Sequence, residues 1–410
     1  MKLNKKHVAI TFIPIIIVGF IVGYFLFNNQ EKLELVGESH YKMMINSIYQ
    51  EEGTNLKDVK ITGNVDTSKK GTYEINYTYK KQSIKRTVDV LDNKQLVMNL
   101  NGSKDTYVKQ NQEYIESGCH VIDQKEGNLT SQVQISGKVD TKKVGNYDII
   151  YSVKNKDGVL CSKKRTVHVL SDEDFKENKK GIPVLMYHYV YTQDDMPKKL
   201  NTNYLLDTKL EKQLQYLKEN NYYFPSWKEL SAYIQKKIDL PEKSVVLTFD
   251  DGQKGFLKYG IPLLEKYQVP STSFIIASKK GENTIQTYAS EYISFQSHSY
   301  NLHRGGGSIG HGGIISALSY DDIKEDLLKA QSIVQNTEAF AYPYGDMTKE
   351  AQKAVKDANI LCAFSTQYGK VHQGDDFTQL KRIRVLGDAS LESYISTINW
   401  SYGSVFSLYL

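Results

Sequence analysis

The sequence predicts a multidomain protein in which an N-terminal transmembrane helix precedes two all-β sandwiches and a C-terminal α/β domain. The chain has 410 residues, too many for one ordinary core. Three observations define its parts: an uncharged apolar stretch, an internal repeat of short strands, and a C-terminal part in which strands alternate with helices. The predicted ranges are 1–30 for a cytoplasmic tail and anchor, 31–92 and 93–171 for the sandwiches, and 172–410 for the α/β domain.

The transmembrane prediction rests on Ala9 to Phe27, which is 19 residues long and contains no charged side chain. A helix of that length spans the hydrocarbon core of a bilayer. Lys2, Lys5 and Lys6 precede it, so we expect a cytoplasmic N-terminus and an extracellular remainder. A cleaved signal peptide is the alternative, but the apolar run is long for one and no small-residue cleavage site follows it.

Composition and charge exclude little, but they argue against a nucleic acid partner. The chain is 40% hydrophobic and 24% charged, with a formal net charge of +5. No cluster of lysine and arginine alternates with aromatic residues, so no nucleic acid partner is expected. The 3 cysteines form no metal motif. A disulfide between Cys119 and Cys161 is compatible with an extracellular location, and the sequence leaves it open.

An internal repeat defines the two sandwiches. Ten of the 17 positions in 61–77 are identical to those in 135–151, and Arg86-Thr-Val88 recurs as Arg165-Thr-Val167. Alternation such as Tyr73, Ile75 and Tyr77 predicts strands with one buried face, and the regular turns favour antiparallel sandwiches. The repeat resembles the bacterial immunoglobulin-like (Ig-like) domains of surface proteins. A spacer is the favoured role, and glycan or wall binding is the alternative.

The α/β domain begins after the charged segment 171–180, which is the best linker candidate. Beyond it, short apolar runs alternate with segments of helical periodicity, which predicts a parallel sheet or barrel. Strands are predicted at 182–187, 245–249, 273–277, 292–295, 339–342 and 362–364, and helices at 205–220, 259–267, 320–335 and 348–358.

Candidate metal ligands follow two of these strands. Asp250-Asp251-Gly252 comes directly after one strand, and His298 and His303 come after another. A separation of five places the histidines on different faces of a helix or strand, so binding one ion requires a turn between them. Imidazole and carboxylate ligands suit Zn²⁺ or a similar divalent ion. The alternative is a solvated turn and two unrelated surface histidines.

These residues carry a family resemblance. Thr248-Phe-Asp-Asp-Gly252, the histidine pair and Ala341-Tyr-Pro-Tyr-Gly345 resemble, in this order, the motifs of NodB-like polysaccharide deacetylases of carbohydrate esterase family 4. Pro183-Val-Leu-Met-Tyr-His188 and the histidine spacing are most similar to the poly-β-1,6-N-acetylglucosamine deacetylase branch. The resemblance covers residues 181 to about 390 and implies a distorted (β/α) barrel.

The resemblance also implies roles for individual residues. Asp251, His298 and His303 would hold the metal, with Zn²⁺ as the expected ion and Co²⁺ or Ni²⁺ as alternatives. Asp250 would be the general base, and the backbone N–H of Tyr344 would help to stabilise the oxyanion. A cation in such a site lowers the pKa of water and polarises the acetamide carbonyl.

The sequence departs from the family at two catalytic positions. The usual C-terminal Leu-x-Leu-His is absent, and the branch resemblance places the acid at His188, whereas His311 and His372 are expected to be loop residues. The arginine that precedes the Pro-Tyr motif in many relatives is also absent. Arg382 or Arg384 would have to orient Asp250, and the sequence leaves the choice between them open.

The resulting prediction is a membrane-anchored extracellular hydrolase that removes N-acetyl groups from a β-linked N-acetylglucosamine polysaccharide of the exopolysaccharide type. Peptidoglycan is the alternative substrate. A surface adhesin with an inactive deacetylase domain is the alternative from another functional class. The sequence does not identify protein partners or an oligomeric state.

Overall fold

The computed structural model describes residues 31–336 and 338–400, which fall into two compact units. The first comprises residues 31–45 and 49–91, and the second comprises 46–48 and the described residues from 92 onwards. The predicted transmembrane segment lies outside the described residues. Within 31–336 and 338–400, every helix is too short or too polar to cross a bilayer.

The first unit is built on one four-stranded sheet. Strands β2, β3 and β4 are antiparallel, but β1 pairs with β4 in parallel. The expectation of a purely antiparallel sandwich was therefore wrong here. Ile75 and Tyr77 are buried as the alternation predicted, and Leu33 from an irregular segment packs on them. The strands are β1 (His40–Met44), β2 (Lys60–Thr62), β3 (Gly71–Tyr79) and β4 (Gln82–Leu91).

The second Ig-like repeat is a sandwich of two sheets within the second unit. One sheet has the order β6-β11-β10-β9, and its β6 and β11 are parallel, whereas the other sheet, β5-β7-β8, is antiparallel. Cys119 and Cys161 lie on opposite sheets as buried free thiols. The strands are β5 (Leu96–Leu100), β6 (Asp105–Lys109), β7 (Cys119–Asp123), β8 (Gly127–Asn128), β9 (Gln134–Ser136), β10 (Gly145–Lys154) and β11 (Val159–Leu170).

The repeated arginine explains part of the internal repeat. Arg86 and Arg165 are both fully buried, each in its own copy of the repeat. Arg86 pairs with the carboxylate of Glu51, and Arg165 donates to the carbonyl oxygen of Asn101 at 2.8 Å. A buried guanidinium is costly unless it is paired or hydrogen-bonded, so the sequence around it is constrained in each copy.

The remainder of the second unit is a closed seven-stranded parallel barrel. The order is β12-β15-β16-β17-β18-β19-β20, and β20 closes on β12 through the pairs Leu185–Ile383 and Met186–Arg384. The barrel strands are β12 (Val184–Tyr187), β15 (Val246–Phe249), β16 (Ser271–Ile275), β17 (Ile293–Ser297), β18 (Ala339–Ala341), β19 (Cys362–Tyr368) and β20 (Leu380–Arg384), and a two-stranded parallel ribbon is formed by β13 (Tyr189–Tyr191) and β14 (Tyr204–Leu206).

Seven α-helices accompany the barrel among the described residues. The predicted helix at 320–335 begins after Ser319, whose side chain caps it in a capping box with Asp322. The helix expected at 259–267 instead begins with a π-helical turn, Phe256–Gly260. The helices are α1 (Asp207–Glu219), α2 (Trp227–Ile234), α3 (Ile261–Tyr267), α4 (Gly281–Thr287), α5 (Tyr320–Val334), α6 (Lys349–Asp357) and α7 (Leu391–Asn399), of which α2, α4 and α7 were not predicted.

The amino end of the barrel is filled and covered. Trp227 of α2 packs against Phe274 and Phe364 with ring centroids 6.2 and 5.2 Å apart, and its indole donates to Thr272 Oγ1 at 3.1 Å. The second sandwich lies over this end. The sandwich approaches the barrel so closely here that position 102 requires glycine. A Cβ on Gly102 would lie 2.7 Å from the backbone nitrogen of Ser226.

Polar contacts tie the second sandwich to the barrel. Ser117 and Ser226 share a hydrogen bond of 2.8 Å between hydroxyls, and the amide of Asn99 donates to the carbonyl oxygen of Glu291 at 2.6 Å. The segment predicted as a linker also packs, because Phe175 within it is buried. The site-bearing carboxyl ends of the barrel strands therefore lie opposite the end that the sandwich covers.

Candidate metal centre and active site

The predicted site residues meet at the carboxyl ends of the barrel strands. Asp250 and Asp251 follow β15, His298 follows β17, and His188 follows β12. In parallel barrels these ends form one rim, where catalytic side chains are usually found. The structure thus brings together residues that are more than a hundred positions apart in sequence.

Asp251, His298 and His303 form the one group of possible metal ligands among the described residues, and their ligand atoms all lie within 4.8 Å of one another. The Nε2 atoms of His298 and His303 lie 3.5 and 3.1 Å from Oδ1 of Asp251. His298 Nδ1 lies 2.7 Å from the carbonyl oxygen of Ala341, so Nε2 is the ring nitrogen that could bind a metal.

Residues in this arrangement fit a divalent cation. Oδ1 of Asp251 is buried and accepts no hydrogen bond from any residue that the structure describes, although a buried polar atom is costly without one. Two imidazoles and a carboxylate around an open position are a suitable donor set for zinc and related ions. Burial opposes ionisation of Asp251, but the two imidazoles outweigh it and hold the pKa of this carboxyl far below its usual value.

The required turn between the two histidines is present. Ser299 adopts a left-handed backbone with φ of +76°, and its hydroxyl accepts from the backbone N–H of Leu302 at 2.9 Å. The carboxylate of Asp326 in α5 accepts from the backbone N–H groups of Tyr300 and Asn301 at 2.7 and 2.8 Å. Asp326 was not predicted as a site residue, because its only sequence signal is a carboxylate within a helix.

Tyr189 is a second residue that sequence reasoning missed. Its hydroxyl donates to Oδ2 of Asp251 at 3.1 Å, while Oδ1 faces the histidines. Asp251 itself has a left-handed backbone, with φ of +72°. Its side chain is therefore fixed by the strand end and by Tyr189. The only feature of the sequence that could have pointed to Tyr189 is its position next to His188.

Arg382 holds the second carboxylate. Nη1 and Nη2 of Arg382 lie 2.7 and 2.8 Å from the two oxygens of Asp250, and Nε donates to the carbonyl oxygen of Ser365 at 3.1 Å. Both side chains are buried. Burial opposes ionisation of Asp250, but the guanidinium outweighs it and keeps the pKa of Asp250 below its usual value. Arg384 points elsewhere, with Nη1 3.3 Å from Asn203 Oδ1.

His188 and Tyr344 flank this centre. His188 is partly buried, and its ring lies 5.9 Å from that of Tyr189. Burial lowers the pKa of His188, and the charges of Asp250 and Asp251 oppose that shift only in part. The ring of Tyr344 lies 4.6 Å from that of His303, and its backbone is left-handed at φ of +61°.

The other two histidines of the domain lie outside the metal group. His311 is exposed in a glycine-rich loop, where its backbone N–H and that of Gly313 donate to Asp346. His372 follows Val371, which bridges to Ile182 at the amino end of the barrel. The predicted roles of the seven site residues remain predictions, but their placement is compatible with them.

Family models match both parts of the chain. Residues 237–363 match the polysaccharide deacetylase model, and residues 27–90 and 98–169 each match the bacterial surface protein Ig-like domain model. The deacetylase match includes the two aspartates, both histidines of the candidate metal group and Tyr344. It ends before Arg382.

Two named relatives are similar to this chain. The poly-β-1,6-N-acetyl-D-glucosamine N-deacetylase of Staphylococcus epidermidis is 27% identical over 242 residues, which are 53% of this chain and 83% of that protein. That of Staphylococcus aureus is 27% identical over 199 residues, 44% of this chain and 68% of that protein. The Streptococcus pyogenes deacetylase PplD, solved with acetate, aligns with a TM-score of 0.47 and 24% identity, over 54% of this chain and 99% of its own.

Proposed function

Because residues 237–363 belong to the polysaccharide deacetylase family and are preceded by two bacterial Ig-like domains, we propose that the chain is a metal-dependent N-deacetylase of poly-β-1,6-N-acetylglucosamine. The named staphylococcal relatives support this substrate. The observation that carries the proposal is the convergence of Asp251, His298 and His303 beside the Asp250–Arg382 pair.

The reaction would hydrolyse the acetamide bond to acetate and a free amine. A divalent cation held by Asp251, His298 and His303, with zinc as the expected ion, would polarise the acetamide carbonyl and lower the pKa of water. Asp250 would accept a proton as a water oxygen bonds to the carbonyl carbon. Arg382 would keep Asp250 ionised and oriented through its bidentate contact. The backbone N–H of Tyr344 would donate to the oxyanion.

The leaving nitrogen needs a proton when its bond to carbon breaks. His188 is placed at the same rim as Asp250. Because burial lowers the pKa of His188, its neutral form is favoured, and in this proposal the ring would gain the proton that it delivers. The proton that Asp250 would take from water would be the one that reaches the leaving nitrogen through His188. The step therefore needs no proton from outside the site.

Acetate release tests the proposal. The purified protein should release acetate from poly-β-1,6-N-acetylglucosamine oligosaccharides, and Asp250→Asn should remove at least about 99% of that activity because it removes the base. Peptidoglycan fragments provide the comparison substrate. Acetate from peptidoglycan alone would contradict the proposed substrate, and none from either polymer would contradict the enzyme activity.

We further propose that residues 9–27 anchor the protein in a membrane with its folded domains outside the cell. The support is the uncharged apolar stretch and the lysines that precede it. In intact cells, a protease added outside should digest residues 31–400, and the protein should fractionate with membranes until detergent is added. Protection from the protease would contradict an extracellular location.

A further inference from the structure

A tyrosine face lies beside the metal centre on the two-stranded ribbon of β13 and β14. Tyr189 and Tyr204 are register partners in this ribbon, and Tyr191 is two positions along β13 from Tyr189. Since side chains alternate along a strand, the three tyrosines share one face. Val190 and Leu205 project from the other face and are buried in the main core. The packing of these apolar residues fixes which way the tyrosines point.

The three rings form a continuous series that begins at the metal ligand. The hydroxyl of Tyr189 contacts Asp251 at 3.1 Å. The ring of Tyr204 lies 4.7 Å from that of Tyr189 at an interplanar angle of 50°, and the ring of Tyr191 lies 6.4 Å from that of Tyr204. All three side chains are half-buried. The series therefore runs from the centre along a half-exposed face of the ribbon.

The end of the series at Tyr191 has no evident structural role. The buried residues of the ribbon already join it to the core, and Tyr191 makes only an edge contact with Tyr204 among its ring contacts in the described chain. Tyrosine presents a flat apolar ring and a polar hydroxyl, which suits ligands that have both kinds of surface. Pyranose sugars are such ligands, because axial C–H groups form apolar faces and hydroxyls surround the ring.

We propose that Tyr191 and Tyr204 form a sugar subsite that binds a pyranose neighbouring the residue that is deacetylated. This inference rests on the proposed function, since it assigns the tyrosines to the same polymer. The subsite lies outside the reacting centre, so it acts on oligosaccharides that are long enough to reach it. Its effect is a preference for longer chains.

The test measures acetate release by the full chain from β-1,6-linked N-acetylglucosamine oligomers of increasing length. In the wild type, kcat/KM should rise with chain length until the subsite is filled. In Tyr191→Ala this rise should shrink by about tenfold, through KM, because one aromatic contact is lost. The value for the shortest substrate should not change. Tyr191→Phe keeps the ring and should keep the preference.

Two further variants make the result unambiguous. Tyr191→Leu keeps apolar volume but has no flat ring, so it should lose the preference even if Tyr191→Ala does not fold. Tyr147→Ala removes a half-buried tyrosine of the second sandwich and should leave the chain-length profile unchanged. An active wild type with the same profile in Tyr191→Leu or Tyr191→Ala would overturn the subsite alone. No acetate from the wild type at any length would instead overturn the proposed function.

Discussion

At the scale of single residues, the pair of Asp250 and Arg382 is the clearest case of one side chain controlling another. The guanidinium contacts both carboxylate oxygens, and both groups are buried. Among the contacts that the structure describes, Arg382 has none with Asp251, His298 or His303. Its effect on the reaction would therefore be exerted through Asp250. A residue of this kind positions the base rather than reacting itself.

Replacing Arg382 with lysine should lower kcat by about a hundredfold, because one ammonium cannot form the bidentate contact and misplaced catalytic groups are costly at this scale. Acetate release by the metal-loaded protein measures the effect. Arg384→Lys is the matched control, since Arg384 is exposed, keeps its charge in this variant, and has its Nη1 3.3 Å from Asn203 Oδ1 rather than at Asp250. Equal losses in both variants would show that Arg382 has no special relation to the base.

Replacing Tyr189 with phenylalanine should weaken metal binding by about tenfold, because ligand-orienting hydrogen bonds contribute at that level. Oδ2 of Asp251 would lose its partner at 3.1 Å, while the ring contacts would remain. Competition with a chelator measures the affinity without depending on activity. Tyr191→Phe removes a hydroxyl two residues away and should leave the affinity unchanged, and an unchanged affinity in Tyr189→Phe would contradict the positioning role.

We expect the stability of the protein to depend on pH through Glu338, which lies outside the active site. Its Oε2 is buried without a hydrogen bond to any part of 31–336 or 338–400, and the ammonium of Lys228 lies 3.8 Å from Oε1. Burial raises the pKa of Glu338 to about 7 from an ordinary value of 4.5. The folded protein thus holds this proton after the unfolded chain has released it, so stability is lost as pH rises from about 4.5 to about 7.

Glu338→Gln should abolish that loss and raise the free energy of unfolding at pH 8 by up to about 3 kcal/mol, with little effect at pH 4. Denaturant unfolding at both pH values measures the difference. Glu282→Gln changes an exposed glutamate and should show no such dependence. A stabilisation of Glu338→Gln that is the same at pH 4 and pH 8 would rule out the buried carboxylate as its cause.

At the scale of elements, the segment between His298 and His303 shows how a turn completes the metal group. The left-handed Ser299 reverses the chain, and Asp326 of α5 fixes the two following N–H groups. A helix that is remote in sequence thereby sets the position of His303. The spacing of the histidines predicted that a turn was needed, but periodicity could not predict which helix would hold it.

Asp326→Ala should release this turn and weaken metal binding by about tenfold, as expected for loss of a residue that supports a ligand. Chelator competition again provides the measurement. Asp321→Ala, on the exposed first turn of the same helix, is the matched control. Equal metal affinity in the two variants would mean that the turn holds its shape without Asp326.

Sequence reasoning predicted the elements with strong local patterns and missed those that depend on packing. The strand before Asp250, the capped helix α5 and the strand before His298 all carry apolar runs or capping residues. Arg382 and Arg384 both lie in β20, and only the closure of the barrel between β20 and β12 decides which of them reaches Asp250. The helices α2, α4 and α7 are short, so their periodicity is weak.

At the scale of the whole molecule, the second sandwich and the barrel belong to one compact unit. The domain boundary that the sequence predicts after residue 171 remains a prediction. The contacts of Ser117 and Asn99 with the barrel nevertheless make the sandwich a structural support. The spacer role expected for the two repeats remains a prediction.

A fragment beginning at residue 172 should be less stable than one beginning at residue 92. It would expose the segment at Phe224 and Ser226, which the sandwich covers in the complete unit. We expect the melting temperature to fall by about 10 °C, which corresponds to a few kcal/mol at this size. Thermal unfolding of both fragments measures this, and equal melting temperatures would show that the barrel does not need the sandwich.

The plugged end of the barrel has a consequence for how a long polymer is handled. Trp227, Phe274 and Phe364 block one pole, and the second sandwich covers it. A polysaccharide chain therefore cannot pass through the barrel and must lie across its open end. Units in the middle of a strand should then be processed as readily as terminal ones, without any need for a free chain end.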